Sequence, residues 1–529
     1  MYIPNEKPVS GTDNANNAPA NLSAEGPQAS AFCEATRERN GRVLSAHRSP
    51  NVAQAVLLGG AAAQLGLSLL ITIYLARALT PAAFGFFSLV GTTFILARKI
   101  LDPGFSDVAA RDIARQPQRE RPILEGLMAY RRVVGLTLAM GLCLFALSQN
   151  SVVERNVLLA AAVVLLLTEP AALGPVFQVR QAQGGPALLN VAGGLLVLGG
   201  SVLFRRVGVV GTAFGFLLIA REAVTLLFTK LLGERLLGYR PAPGFRGRAL
   251  NAFLAPALIF GVASLVYAVY FNCDVFFVYA LRGHDELGAY AAAFRPINPL
   301  LLLPWLLMSP LIPVLSVTAA QDGSSFVGQV RGACGAAVGI GAVALVAGAM
   351  LAPDLVQLLY QGQYLEGPLS CVSAFRWLAI AFGMVSVTTV VTASLLAAGR
   401  EKLLLAIGIS ALLANALLNL VLLRHHNFTA AAFVTAATEL LFLLGALIAF
   451  RVATGRAALT WNSALYLAPA ALLAAVLHVI SGGPARATCG IVLGVASVIG
   501  ILLAPPVRRL RRNLAGAAPV IDTARLNEA

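Results

Sequence analysis

The sequence predicts an all-α membrane protein with about 14 transmembrane helices, arranged as two six-helix lobes around a central cavity plus two C-terminal helices. The 529 residues are 58% hydrophobic and only 12% charged, whereas soluble domains carry about 25% charged residues. The apolar residues fall in runs of about 20, the length that spans a bilayer about 30 Å thick. The basic residues, which give a net charge of +15, lie in short segments between these runs. That distribution is typical of topology signals and argues against a nucleic-acid partner.

The predicted elements follow the apolar runs in order. Residues 1–50 come first, and residues 1–30 are rich in Asn, Ala, Pro, Ser and Gly, which predicts a disordered tail and not a signal peptide. The first six spans are predicted at about 52–76, 83–101, 127–148, 157–178, 186–204 and 207–229. The other eight are predicted at about 251–281, 287–317, 332–352, 368–397, 403–423, 428–450, 463–480 and 487–505.

A charged loop at residues 230–250 divides the first twelve spans into two sets of six. The predicted domains are a cytoplasmic tail at 1–50, an N-terminal lobe at 51–229, this inter-lobe loop, a C-terminal lobe at 251–450, two further helices within 451–505 and a basic cytoplasmic tail at 506–529. The lobes echo each other: GFFS at 85–88 and GAYA at 288–291 each follow an arginine at the end of the preceding span. Paired lobes around a central site are a transporter architecture.

The basic residues also predict the orientation. An even number of spans puts both termini on one side, and the tails and loops of that side carry 29 of the 39 basic residues, against 7 on the other side. The positive-inside rule therefore predicts cytoplasmic termini. One segment of that side, residues 107–121, is predicted either to lie on the inner leaflet as an amphipathic helix or to form an ordinary basic loop.

Three arginines lie inside predicted spans, and Arg295 is the most informative of them. It is near the middle of the eighth run, which also contains Pro296, Pro299, Pro304, Pro310 and Pro313. A charge at that depth costs about 2.5–3.5 kcal/mol on insertion scales, and prolines free carbonyls that only protein or a water-filled cavity can satisfy. The run therefore predicts a broken helix along a polar path, with an arginine placed to meet an anion. The alternative is an internal ion pair of Arg295 with Glu169 or Asp274.

Several short motifs resemble the bacterial oligosaccharide and exopolysaccharide flippases. Residues 74–87 read YLARALTPAAFGFF, which is similar to the first hairpin of that family. Residues 101–105 (LDPGF), residues 288–290 (GAY) with Arg295, and residues 396–402 (LAAGREK) resemble its second, eighth and tenth spans and their turns. The resemblance covers about residues 52–450, and the family shares a transporter superfamily with lipid II flippases and multidrug and toxin extrusion proteins.

The resemblance implies a transporter that works by alternating access and has no enzyme activity. Its substrate would be an oligosaccharide on a polyprenyl pyrophosphate, moved from the cytoplasmic to the periplasmic leaflet of a bacterial inner membrane. The product would serve exopolysaccharide, O-antigen or capsule assembly, with membrane lipids, a polysaccharide polymerase and chain-length or export proteins as partners. Three alternatives stay open: an ion-coupled drug or metabolite antiporter of the same fold, a non-transporting scaffold for glycan assembly, and a polysaccharide polymerase or glycosyltransferase.

Polar residues inside the spans are the candidate site. Those predicted to bind substrate are Arg295, Asn298, Arg376, Arg221, Asn415, Asn419 and Gln64, since guanidinium groups pair with phosphate oxygens and amides with sugar hydroxyls. Those predicted to act in ion coupling or gating are Glu169, Glu439 and Asp274. For each the alternative is structural: snorkelling of arginines, clamps between helices, or interhelical hydrogen bonds.

No metal or cofactor is expected. The six cysteines are scattered, and none has the spacing of a metal site. No loop after residue 50 is longer than about 35 residues, and no acidic metal-binding motif is present, which disfavours a polymerase or glycosyltransferase.

Overall fold

A computed structural model describes residues 50–149, 151–180, 182, 184–205, 210–244, 248–308, 311–321, 323–480 and 482–504. Every regular element within these ranges is helical, so the predicted fold class is confirmed. The predicted tails at 1–50 and 506–529 lie outside the described residues, except for Pro50. All contacts given below lie within the compact unit that begins at Leu57.

The helices of residues 50–237 form what we call the N-terminal half. They are α1 (Pro50–Ala78), α2 (Pro81–Leu101), α3 (Phe105–Arg115), α4 (Glu120–Leu147), α5 (Val152–Leu166), α6 (Gly174–Val179), α7 (Gly184–Arg205) and α8 (Val210–Leu237). The start of α2 is set by Thr80, whose hydroxyl accepts a hydrogen bond from the Ala83 amide at 3.3 Å, and by Pro81 in the first turn. The predicted fourth span is bent by 42° between α5 and the segment from Glu169 to Val179. The bend follows from Pro170, which has no amide hydrogen to continue the helix.

The short helix α3 is amphipathic, but its apolar face is covered by protein. Phe105 and Ile113 are each 2% exposed and pack in one cluster with Val176 and Phe177 of α6. Asp102 holds the start of α3 by accepting from the Ser106 amide at 3.0 Å. The interpretation that this face of residues 107–121 lies on the inner leaflet is therefore wrong, because the face is already buried against α4 and α6.

The helices of residues 248–454 form the C-terminal half, followed by two more. They are α9 (Arg248–Phe294), α10 (Leu302–Met308), α11 (Ile312–Gln321), α12 (Gly323–Tyr360), α13 (Val372–Ala397), α14 (Glu401–His425), α15 (Thr429–Thr454), α16 (Ala468–Val479) and α17 (Pro484–Leu503). A kink at Gly283, where φ is +83°, divides α9 into two helical segments. Helix α9 ends at Phe294, and a 3-10 turn, α10 and α11 follow. The eighth run thus forms a broken helix, as its prolines predict.

Ten helices in the described residues are long and apolar enough to cross a membrane, and the bent pair at α5 and α6 would make an eleventh. The protein is therefore a multi-pass membrane protein. The predicted first, sixth and eighth spans are outside this set: the first is represented by the shorter apolar stretch Ala63–Ala78, and the eighth is broken into short helices. Helix α8 carries Arg221, Glu222 and Lys230. The count of 14 and the division into lobes stay predictions.

The two halves meet backbone to backbone along α2 and the last segment of α9. A Cβ atom on Gly85 would lie 2.0 Å from the carbonyl oxygen of His284, and one on Gly288 would lie 2.1 Å from that of Pro81. These are the glycines of the two sequence segments that echo each other. Nearby, Arg77 Nε donates to the Leu359 carbonyl oxygen at 2.6 Å, across the same boundary.

Candidate functional site

A cavity of about 380 Å³ lies between helices of the N-terminal half and is completed by one side chain of the C-terminal half. Its wall on α1 contains Gln64, Ser68 and Thr72, which recur every four residues and so share one helix face. Its wall on α2 contains Ser88, Gly91 and Arg98 at spacings of three and seven, again one face. Helices α5, α7 and α8 close the remaining sides. Both helices therefore contribute polar side chains to a wall that also contains leucine, isoleucine, valine and phenylalanine side chains.

Arg295 is the side chain that the C-terminal half contributes to this cavity. It follows the end of α9, and its Nε donates to Ser88 Oγ at 3.2 Å while its Nη2 donates to the Ser88 carbonyl oxygen at 3.4 Å. Gly91 leaves room for it, since a Cβ atom there would lie 3.3 Å from Arg295 Nη2. The break in the helix thus delivers a guanidinium group to the boundary between the halves.

No carboxylate pairs with Arg295 among the described residues. Glu169 instead forms an ion pair with Arg132 at 2.7 Å. Asp274 accepts from Asn419 and Thr435 inside the C-terminal half. The alternative interpretation, in which Arg295 pairs with Glu169 or Asp274, is therefore wrong.

A second arginine, Arg221 on α8, lines the same cavity. Within the described part of the chain, its buried Nε has no hydrogen-bond partner. Its side chain passes over Gly193, where a Cβ atom would lie 2.9 Å from Arg221 Cγ. The prediction of a cavity position for Gln64 and Arg221 agrees with this placement, and their contact with substrate stays a proposal.

Sequence reasoning missed most of the cavity wall, including three residues with charged or amide side chains. Arg98 of α2 forms an ion pair with Glu222 of α8, and Asn190 of α7 also faces the cavity. Arg98 lies at the end of the predicted second span, 83–101, and counts among the 29 basic residues of the cytoplasmic side. Its spacing of seven from Gly91 places it on the face that meets Arg295, and that periodicity was the available signal.

Four residues predicted to bind substrate lie away from this cavity. Asn298 is exposed in the 3-10 turn after Arg295, and because α9 ends at Phe294, the three-residue spacing between the two does not put them on one helix face. Arg376 is exposed, and its Nε donates to the Ala349 carbonyl oxygen at 3.3 Å. Asn415 and Asn419 are 1% and 0% exposed and belong to a separate cluster in the C-terminal half. None of these four lines this cavity, although all were predicted to bind substrate together with Arg295.

The separate cluster surrounds Asp274, which is 4% exposed. Its carboxylate accepts from Asn419 Nδ2 at 2.7 Å, from Thr435 Oγ1 at 2.6 Å and from the Tyr290 hydroxyl at 3.1 Å. Asn419 Nδ2 also donates to Asn415 Oδ1 at 2.9 Å, whereas the buried Asn419 Oδ1 has no partner in the described structure. The cluster therefore surrounds a buried carboxylate with one amide nitrogen and two hydroxyl donors.

Glu439 is a second buried carboxylate of the C-terminal half, at 2% exposure. It lines a small pocket with Tyr270, Thr388 and Thr392. The ion pairs of the described residues include neither Glu439 nor Asp274, and no group of three His, Cys, Asp or Glu side chains there could hold a metal ion. Buried carboxylates without a basic partner need a proton or a cation to offset the cost of burial.

Glu169 does not share this environment. It lies at the bend after α5, its side chain is 19% exposed, and it pairs with Arg132. The prediction of a role in ion coupling is not supported by this geometry, because the carboxylate already has a cationic partner. The ion pair between Arg132 and Glu169 fits the structural alternative of a clamp between helices. The arginine of that clamp is Arg132 and not Arg295.

Comparisons with known proteins agree with this arrangement of helices. Residues 54–318, about half of the chain, match the family described as "Polysaccharide biosynthesis protein". The solved structure of the lipid II flippase MurJ in an inward closed conformation superposes with a TM-score of 0.68 at 12% sequence identity, covering 85% of this chain and 97% of that one. No curated protein matches the sequence.

Two MATE transporter structures share the fold less closely. One, from Vibrio cholerae, has a TM-score of 0.50 at 13% identity and covers 76% of this chain and 96% of that one. Another has a TM-score of 0.51 at 17% identity and covers 76% and 97%. At these identities the likeness describes the fold.

Proposed function

The chain belongs to the polysaccharide biosynthesis protein family, and on that premise we propose that it is a flippase for polyprenyl-pyrophosphate-linked oligosaccharides. It moves them from the cytoplasmic to the periplasmic leaflet of a bacterial inner membrane, with both termini in the cytoplasm. The lipid-linked unit then serves exopolysaccharide, O-antigen or capsule assembly, alongside a polymerase and chain-length or export proteins. Neither the family nor the fold indicates an enzyme.

The observation that carries the proposal is the unpaired Arg295 in the cavity. A flippase must shield a pyrophosphate and polar sugars from hydrocarbon while the polyprenyl tail stays in lipid. The planar guanidinium group pairs with two phosphate oxygens at once, which a lysine ammonium cannot do. Since Arg295 reaches the cavity from the other half of the chain, a pyrophosphate bound to it contacts both halves together. Substrate binding thereby couples to the relative movement of the two halves during alternating access.

The buried carboxylates of the C-terminal half supply the coupling. Asp274 accepts from two hydroxyls and one amide nitrogen, and Asn419 Oδ1 has no donor among the described residues. Carboxylate, hydroxyl and amide oxygens are the ligands that hard cations prefer. We propose that Asp274, with Asn415 and Asn419, takes up a cation or proton and that Glu439 is a second coupling carboxylate. This assigns the two asparagines to the ion and not to the sugar.

The antiporter alternative shares the fold but requires a different cavity. A carrier of organic cations would place carboxylates at its site, whereas this cavity is lined by three arginines and one glutamate, Glu222. A scaffold for glycan assembly would have no need of an unpaired arginine between its halves, because such a charge costs several kcal/mol at membrane depth. The cavity thus favours an anionic substrate.

Replacing Arg295 tests the proposal. In proteoliposomes that contain a polyprenyl-pyrophosphate-linked oligosaccharide, Arg295→Ala is expected to lower the rate of flipping at least about 30-fold, since loss of one charged contact costs about 2 kcal/mol or more. Arg295→Lys should retain part of the rate, because lysine keeps the positive charge but lacks the planar guanidinium group that pairs with two phosphate oxygens. Arg376→Ala is the matched control, because Arg376 is exposed and lies away from the cavity. The flipping rate of this variant should equal that of the wild-type protein. Normal flipping by folded Arg295→Ala protein would refute the assignment.

A further inference from the structure

The charged side chains of the cavity wall are few and do not balance. They are Arg98, Arg221, Arg295 and Glu222, so the described wall carries a net charge of +2. Arg98 and Glu222 form an ion pair between α2 and α8, which neutralises one arginine. Arg221 and Arg295 remain without a carboxylate partner in the described structure.

A pyrophosphate that links a lipid to a sugar is a diester with two ionised phosphates, and hence two negative charges. Two unpaired arginines match that charge. Inside the cavity of a membrane protein the effective dielectric is low, so a charge left without a partner is costly. After the pyrophosphate is bound, the wall offers no further cation for a carboxylate on the sugar.

The rest of the wall suits neutral sugars. Gln64, Ser68 and Asn190 present amide and hydroxyl groups that hydrogen-bond to sugar hydroxyls without a charge, and Phe87 and Phe214 are apolar rings on the same wall. Glu222 contributes a negative charge to this surface, with a side chain that is 21% exposed. A carboxylate added to the glycan would compete with Glu222 for Arg98, and the negative charge of Glu222 would repel it.

Building on the proposed flippase function, we propose that the part of the glycan held in this cavity is uncharged, and that Glu222 is a specificity-determining residue against carboxylate-bearing sugars. Discrimination arises from an unfavourable contact with the wrong substrate rather than a better contact with the right one. If Glu222 served only as a clamp between α2 and α8, its replacement would slow transport of all substrates by the same factor and leave their ratio unchanged.

The test compares two lipids that differ in one group. Proteoliposomes receive a polyprenyl pyrophosphate that carries a neutral disaccharide, or the same lipid with a uronic acid in place of one hexose, and initial flipping rates are measured. We expect the wild-type protein to favour the neutral lipid about tenfold or more. Glu222→Gln should bring the ratio of the two rates close to one. Arg98→Gln leaves Glu222 without its partner. It should increase the ratio of the neutral-lipid rate to the acidic-lipid rate, while the flipping of both lipids becomes slower.

The outcomes separate this inference from the function on which it rests. Equal wild-type rates for the two lipids would overturn the neutral-glycan inference and leave the flippase function intact. An unchanged ratio in folded Glu222→Gln protein would assign Glu222 to a clamp and overturn its role in specificity. If the wild-type protein moves neither lipid, the flippase function itself fails, and the inference with it. Should Glu222→Gln not fold, the wild-type ratio alone still decides whether the glycan must be neutral.

Discussion

Substitution of Gly85 by alanine should weaken the contact between the two halves by an amount that follows from the structure. The new Cβ atom would lie 2.0 Å from the His284 carbonyl oxygen and 2.9 Å from the Gly288 amide nitrogen, whereas ordinary contacts begin at 3.4 Å. Both neighbours are backbone atoms and cannot rotate away. Helices α2 and α9 must therefore move apart by about 1.4 Å at this point, the difference between 3.4 and 2.0 Å.

Overpacking of this kind costs about 1–3 kcal/mol. We call the state in which α2 and α9 touch closed and the state in which they are apart open. The clash raises the free energy of the closed state alone. The ratio of closed to open molecules should therefore fall by roughly 5- to 150-fold, at tenfold for each 1.4 kcal/mol. Alanine also favours a helix over glycine by about 0.5–1 kcal/mol, but this gain is common to both states. The equilibrium between the states therefore reports the clash alone.

A cross-linking assay measures this shift. Gln363 Nε2 donates to the Leu79 carbonyl oxygen at 3.1 Å across the boundary between the halves, so cysteines at these two positions should react with a short bifunctional thiol reagent only in the closed state. The cross-linking yield should fall in the Gly85→Ala background. Gly141→Ala is the matched control, because a Cβ atom at Gly141 meets nothing within 4 Å. An equal yield in both backgrounds would show that the halves do not separate at Gly85, and the reasoning would be refuted.

Two predictions concern the acidic residues. Asp274→Asn keeps the shape of the cluster but removes its charge, so flipping in proteoliposomes should lose its dependence on an imposed sodium or proton gradient; a retained dependence would place the coupling site elsewhere. Glu169→Gln removes a partly exposed ion pair with Arg132, so thermal unfolding should show a loss of less than about 1 kcal/mol and the gradient dependence should persist, whereas its loss would restore Glu169 to the coupling residues.

The sequence predicted the elements of this fold more reliably than the directions of their polar side chains. The apolar runs predicted the long helices, and the prolines after Arg295 predicted a break there. That break also explains the failure at Asn298: a spacing of three residues marks one helix face only while the helix continues, and α9 ends at Phe294. Asn415 and Asn419 do share a face, but periodicity alone does not reveal that this face meets Asp274 instead of the cavity.

The missed residues have a related cause. Arg98 and Glu222 are far apart in sequence and lie in the predicted second and sixth spans, so nothing local joins them. Their relation depends on how α2 and α8 pack, which is tertiary information. Gly91 and Gly193, which leave room for Arg295 and Arg221, likewise have no signature as arginine neighbours in one sequence.

The contact between the halves at Gly85 and Gly288 has a kinetic consequence. Because backbone atoms make the closest approach, no side chain at these two glycines can rotate to absorb a change in spacing. The neighbouring contacts across the same boundary are aromatic: Phe86 stacks on the His284 ring with centroids 6.1 Å apart, and Phe84 lies 6.5 Å from the Tyr364 ring. Separation of the halves would take these rings out of their packing and expose apolar surface to solvent, at about 25 cal/mol per Å². We therefore expect the parting of α2 and α9, and not only the exchange of partners by a bound anion, to contribute to the barrier of each transport cycle.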